Sequence, residues 1–369
     1  MLYYLRKIDW AVVLPSLALS AIGVFFIADA ANYMGSPPPP FANRQLLWFF
    51  ISFVFYIGAM VLGFKRLKRL APSLFAVCCA LLVAVLICGT SCKGAKRWIA
   101  LGWFNLQPSE FIKLAFILFM PLLLSNGRAK KLKFVLLFFS VTASIVFLIA
   151  AEPDLGTSLL FVPLALTIAL TAGVKRRIIV AIVLVVTIAA PLLFNHLRPY
   201  QKERILAFTN PEQYRLAESY QIRQAEVAIG SGGLFGKGYG NGTHNALNLL
   251  PARHTDFIFS LIAEEWGLVG GVLVLVLLFS LIFLGITTAI YANSEYGRLV
   301  ALGVSALLFF QTVVSIAMNL GLAPVTGIPL PFLTYGGSSM ILCWSSVASL
   351  SLVRLNDKPS LVEYCLRDC

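Results

Sequence analysis

Charge is what this chain has least of. Of 369 residues only 12% are Asp, Glu, Lys or Arg, about half the share a soluble domain carries. That supply cannot cover a water-facing surface, so no soluble domain is expected. Hydrophobic residues reach 59% and mean hydropathy is +0.87, the composition of a polytopic membrane protein. The seven cysteines form no metal-ligand spacing, and their odd number gives no disulfide framework. Cys78 and Cys79 fall mid-span and read as apolar packing residues. No stretch alternates in the manner of outer-membrane strands, and no internal repeat is evident.

What is present is a series of long apolar runs. A span needs ~20 apolar residues, and about ten runs approach that length. They lie near 10–30, 45–64, 71–88, 108–125, 134–151, 157–173, 178–195, 266–290, 299–320 and 337–353. The expected fold is all-α: one integral-membrane domain over 1–369, with about ten transmembrane helices. One large extracytoplasmic loop, residues 196–265, falls between the seventh and eighth. The first span is too long for a signal-peptide core and is read as retained.

The net charge of +13 would suit nucleic acid, but its placement argues for a membrane instead. Arg6/Lys7, Lys65/Arg66/Lys68/Arg69, Arg128/Lys130/Lys131/Lys133, Lys175/Arg176/Arg177 and Arg298 occupy alternate connections. The intervening loop 32–44 carries only Arg44, while 152–156 and 321–335 carry no Lys or Arg. This is the positive-inside pattern, with both termini cytoplasmic. Lys93, Lys96 and Arg97 break it, and three outer cations invite an anionic head group. Beside them Trp98 reads equally as an interfacial belt residue.

Four polar segments stand out. His254-Thr255-Asp256-Phe257 sets one carboxylate at a membrane edge, where an ionisable group is costly and points to function. Phe257 and Phe259 beside it favour a raised pKa and a role as a base, against the plain alternative of a hydrogen-bonded residue starting a helix. Gln107-Pro108-Ser109-Glu110-Phe111-Ile112-Lys113 opens the fourth span. Glu110 and Lys113 share a helix face there, as a mutually neutralised pair or as substrate contacts. Glu152-Pro153-Asp154 is a short outer turn in which Asp154 suits a helix N-cap. Gly327 to Ser339 holds two prolines and a glycine pair at membrane depth, irregular backbone tolerated only inside protein or beside a polar cavity.

In the long loop, Leu197–Phe208 and Glu218–Ala225 read as short amphipathic helices. Seven glycines then fall within Gly230–Gly242. A phosphate loop ending in Gly236-Lys237 would need glycine where Ser231 stands and Ser or Thr where Gly238 stands. The dinucleotide fingerprint fails at Phe235. An irregular loop of positive-φ turns is the main reading, and bare amides lining a pyrophosphate site are the weaker one.

Taken together, Lys96-Arg97-Trp98-Ile99, Gln107-Pro108-Ser109-Glu110, Glu152-Pro153-Asp154-Leu155-Gly156-Thr157, Ala228-Ile229-Gly230-Ser231-Gly232-Gly233, His254-Thr255-Asp256-Phe257 and Tyr335-Gly336-Gly337-Ser338-Ser339 resemble the SEDS family (shape, elongation, division and sporulation). Arg253 before His254, and Val325-Thr326-Gly327-Ile328-Pro329-Leu330-Pro331, place it closer to the rod-shape branch than to the division branch. Trp266 departs from the usual Leu. The resemblance implies a peptidoglycan glycosyltransferase of the bacterial cytoplasmic membrane that polymerises lipid II on the outer face. It implies Asp256 as the essential aspartate, partnership with a class B penicillin-binding protein, and a place among other elongation-machinery proteins. Arg97, Trp98, Glu110, Lys113, Asp154, Arg204, His254, Thr255, Tyr335 and Ser338 are the expected supporting or substrate-binding residues. The leaving pyrophosphate calls for cations: a divalent ion (Mg or Mn), for which Asp256 is a candidate ligand, or Arg97, Lys113 and Arg204. Two rival readings fit the composition: a lipid II flippase, and a noncatalytic scaffold for wall enzymes.

Overall fold

The computed structural model describes residues 8–33, 40–92, 95–100, 102, 105–194, 201–203, 206, 208, 217–250 and 252–356. The helices are α1 (Trp10–Asn32), α2 (Phe41–Cys88), α3 (Pro108–Leu124), α4 (Leu132–Ala151), α5 (Leu155–Thr171), α6 (Arg176–Phe194), α7 (Ala217–Ser231), α8 (Thr243–Ala246), α9 (Ile258–Ile290), α10 (Glu295–Asn319) and α11 (Gly337–Asn356). Among the described residues six helices are long and apolar enough to cross a membrane, and α3 and α5 are apolar helices of 17 residues. At 1.5 Å per residue the 48-residue α2 would reach about 70 Å, more than twice a bilayer's hydrocarbon core. Gly63, at φ 76° and ψ 160°, breaks it into the two spans read from the sequence. This is a multi-pass, all-α membrane protein.

Lipid-facing and buried surfaces separate cleanly. Val54, Phe147, Val185, Ile188, Val276 and Phe283 are exposed on the outside of the bundle, which in lipid carries no penalty. Inside, Trp344 of α11 is wholly buried and takes edge-to-face contacts from Phe49, Phe53 and Tyr56 of α2 and from Phe332, at 5.3–6.3 Å between centroids.

Two features depart from the expectation. The connection after α2 forms a small antiparallel sheet of β1 (Thr90–Cys92), β2 (Ala95–Ala100) and β3 (Asn105–Leu106). And α9 begins at Ile258, eight residues before the apolar run at 266, so that Glu264 and Glu265 are helical and fully buried. Gly267, at φ 66° and ψ −160°, interrupts that helix. The carbonyls of Glu264 and Glu265 therefore lose their helical partners. They accept instead from the amides of Lys237 and Gly238, at 3.1 and 2.9 Å, while the amides of Leu268 and Val269 donate to Gly233 and Leu234. The glycine run is thus the missing half of a helix break, satisfying four backbone groups that burial would otherwise orphan.

Candidate active site

One end of the bundle gathers nearly every singled-out residue, and the opposite end gathers the basic turns. At the basic end Arg354 pairs with Asp9 at 3.1 Å, and the Asn126 amide donates to Glu295 at 2.6 Å.

At the other end, the turn of residues 252–257 leads into α9 and carries Asp256, which is half-buried. Neighbouring elements hold the backbone of this turn. The Tyr335 amide donates to the His254 carbonyl at 3.0 Å, the Thr334 hydroxyl to the Thr255 carbonyl at 3.4 Å, and Asn319 Nδ2 to the Asp256 carbonyl at 3.0 Å. The His254 ring stacks on Phe41 at 4.8 Å with 8° between planes, and Tyr335 lies against both. Gln45 of α2 completes the frame, donating to the Thr334 carbonyl and accepting from the Gly336 amide. Phe257 turns away into a small core with Ile222, Leu250, Met318 and Val325, and Phe259 packs into the main core.

A second cluster lies at the outer turn. Arg97 on β2 donates to the Pro153 carbonyl and lies 3.7 Å from Asp154. Asp154 caps α5 by accepting from the Thr157 amide, as its position suggested, and reaches Gln107 at 3.5 Å. The Gln107 amide donates to Ser338 Oγ at 3.2 Å, which links this turn to the start of α11 and so to Tyr335. Glu152, fully buried, has no hydrogen-bond partner for either carboxylate oxygen among the described residues. Burial, and then the Asp154 charge, push its pKa up to about 8, with Arg97 opposing.

Glu110 and Lys113 meet in the first turn of α3 at 2.6 Å, both buried. Lys113 is thereby committed to Glu110. Trp98 is half-buried on β2, its carbonyl held by the Thr90 hydroxyl. Arg204 and most of the Leu197–Phe208 segment lie outside the described residues; the Glu218–Ala225 helix is part of α7.

Several amides of the glycine segment are spent inside the protein. Besides the two that complete α9, the Gly240 amide donates to Glu265 Oε2 at 3.0 Å. Glu264 takes Lys237 at 2.6 Å, Thr243 at 2.8 Å and His244 at 2.9 Å. Asn245 bonds Asp29 of α1, and its carbonyl accepts from the fully buried Arg253 at 2.8 Å, one residue before His254. Burial draws the Arg253 pKa down and Asp29 counters it. A buried polar network therefore runs from α1 to the Asp256 turn. Arg253 was noted in the sequence only for its family pattern and the acids were not picked out, although Asp29 is a lone carboxylate within an apolar run and Glu264-Glu265 a double acid at its edge. Either is a signal on the cost of intramembrane charge alone.

Among the described residues no three His, Cys, Asp or Glu side chains converge to hold a metal ion. A single carboxylate suits only an ion that arrives on a substrate phosphate.

A sequence-family profile described as "Cell cycle protein", covering FtsW, RodA and SpoVE, matches residues 9–358. Escherichia coli K12 peptidoglycan glycosyltransferase MrdB is 42% identical over 283 residues, 74% of each chain. Treponema pallidum peptidoglycan glycosyltransferase RodA is 31% identical, with 94% of this chain and 96% of that one aligned. Bacillus subtilis stage V sporulation protein E is 35% identical over 93% and 95%. A solved structure described as a peptidoglycan synthase complex coordinating polymerization and crosslinking superposes with a TM-score of 0.80 at 29% identity, covering 95% of this chain and 99% of that one. The Thermus thermophilus rod shape determining protein RodA superposes at 0.71 and 28%, over 95% and 98%.

Proposed function

We infer the chemistry of the site from one premise: this chain belongs to the FtsW, RodA and SpoVE family of cell cycle proteins. It is a peptidoglycan glycosyltransferase. The substrate is lipid II, a disaccharide-pentapeptide on undecaprenyl pyrophosphate, and the product is glycan strand.

Asp256 is the general base. The observation that carries this role is its setting: a half-buried carboxylate on a turn whose backbone is held from α10 and from the segment before α11. A sugar hydroxyl gives its proton to Asp256 as its oxygen bonds the anomeric carbon. The bond from that carbon to the pyrophosphate oxygen breaks, and the electron pair leaves with the pyrophosphate. The leaving group is already stable as an anion, so no second carboxylate acting as acid is needed. One displacement at an α-linked donor gives a β-linked product. Arg97, 19% exposed and beside the outer turn, is a cation we assign to meet the departing charge. Lys113, tied to Glu110 and buried, supports α3 rather than the phosphate. A magnesium or manganese ion carried on the pyrophosphate would be held by Asp256 and would supply further positive charge for the leaving group.

The partner is a class B penicillin-binding protein that cross-links the strands, a reading supported by the likeness to a peptidoglycan synthase complex. With the basic turns cytoplasmic, the Asp256 end faces outward in the bacterial cytoplasmic membrane, and both termini are inside.

The test is polymerisation of labelled lipid II by purified protein, with and without partner and divalent ion. Asp256→Asn keeps size and hydrogen bonding but cannot take the proton, and a lost general base costs about 10²–10⁴ in rate. The variant should fold, bind lipid II and make no polymer. Near wild-type polymerisation by this variant would refute the mechanism. Transport of lipid II across vesicles by a wild type that makes no polymer under any condition would favour the flippase.

A further inference from the structure

Asn319 is the last residue of α10 and is fully buried. Its side-chain amide is completely engaged. Nδ2 donates to the Asp256 carbonyl at 3.0 Å and to the Ser315 carbonyl at 2.8 Å. Oδ1 accepts from the Ser260 amide at 3.2 Å and the Ser260 hydroxyl at 2.6 Å. Two donors and two lone pairs are all an Asn possesses, and all four are used. The Ser260 amide, which can only donate, fixes which end of the amide group faces it.

The Ser260 amide is one of the orphan donors in the first turn of α9. The residue at the N-cap position is Phe257, whose side chain has no acceptor, and α9 has no cap of its own. Asn319 supplies the cap from a different helix. The same side chain grips the peptide carrying Asp256, so the carboxylate's backbone and the start of α9 are fixed to one point.

We propose that Asn319 is a positioning residue for glycosyl transfer: it sets where the Asp256 carboxylate stands relative to the attacking hydroxyl. This rests on Asp256 being the base. Misplacing a reacting group by about 1 Å can cost 10²-fold in rate, while substrate contacts made elsewhere are untouched. The effect therefore belongs in kcat and not in KM.

Asn319→Asp keeps the acceptor that caps Ser260 and removes the donor to the Asp256 and Ser315 carbonyls. The expected result with the full chain and labelled lipid II, assayed well below the variant's thermal midpoint, is a kcat lower by about 10- to 100-fold and a KM for lipid II close to the parent's. Ser260→Ala removes part of the cap and leaves the Asp256 contact, so it should keep kcat close to the parent's. Should the Asp variant fail to fold, Asn319→Ala and Asn319→Ser are measured the same way. Parental kcat in a folded Asn319 variant overturns the proposal. So does a kcat that falls only in step with the thermal midpoint, and equally in Ser260→Ala, because that pattern marks a purely structural role. Asp256→Asn run alongside separates the two failures. If it polymerises, the base assignment itself is wrong; if it is inert while Asn319 variants are fully active, only the positioning role falls.

Discussion

Lys113 and Glu110 are 2.6 Å apart and out of water, so each is tolerable only because of the other. Breaking a buried pair by removing one partner costs about 3–5 kcal/mol, whereas removing both can be close to neutral. Glu110→Ala and Lys113→Ala should each destabilise the protein in detergent far more than the double variant does. Plain additivity in that double-mutant cycle would remove the pairing. Glu152 gives a pH signature instead. Its ordinary pKa is 4.5 and burial lifts it to about 8 in the folded chain. The folded state thus holds this proton more tightly than the unfolded one. The stabilisation is complete below 4.5 and is lost as pH rises through about 8. Each tenfold of proton affinity is worth about 1.4 kcal/mol, so the loss is on the order of a few kcal/mol. Glu152→Gln should flatten the fall in thermal stability over that range and be the more stable protein at its upper end. Equal slopes for the two would show that Glu152 is charged throughout. The Glu110–Lys113 pairing and the Asp154 cap were legible in the sequence because both partners sit within one helical turn. Gln45, Asn319 and Arg253 were not, because their partners lie on other helices or reach them only through the folded turn, and a span pattern carries no register between spans.

The helices of this protein were legible wherever hydrophobicity ran unbroken. They were misjudged where a helix continued through polar residues. Ile258–Glu265 reads as loop because Ser260, Glu264 and Glu265 interrupt the run, yet buried partners make those side chains compatible with a helix. The glycine segment was legible as positive-φ turns, and its purpose was not, since only the fold places it against Gly267. That purpose is testable. A Cβ on Gly267 would lie 2.3 Å from the Gly236 nitrogen, and its φ and ψ belong to a region that essentially only glycine enters. Such strain costs about 1–3 kcal/mol before any clash. Gly267→Ala and Gly236→Ala should each lower the thermal midpoint by several degrees and weaken polymerisation with it. Gly230→Ala, whose Cβ would meet nothing within 4 Å, should stay within about 1 kcal/mol of the parent. Similar behaviour of all three would deny that the segment completes α9.

Across the whole molecule the distribution of Lys and Arg was the most informative single pattern, since it told the two ends of the bundle apart before any contact was known. The orientation it implies is measurable by cysteine labelling. A reagent that cannot cross the membrane should modify a cysteine at position 219, replacing Ser219, and spare one at position 294, replacing Ser294. The reverse result would invert the topology and place Asp256 in the cytoplasm, away from any extracellular glycan. The self-completing break in α9 bears in turn on how the chain is made. The segment that supplies Gly233, Leu234, Lys237 and Gly238 precedes the break by about thirty residues. At translation rates of about 5–20 residues per second, it leaves the ribosome some seconds before Gly267 does. The interrupted helix is therefore born after its own complement, and never enters the bilayer with four unsatisfied peptide groups awaiting a partner still to be synthesised.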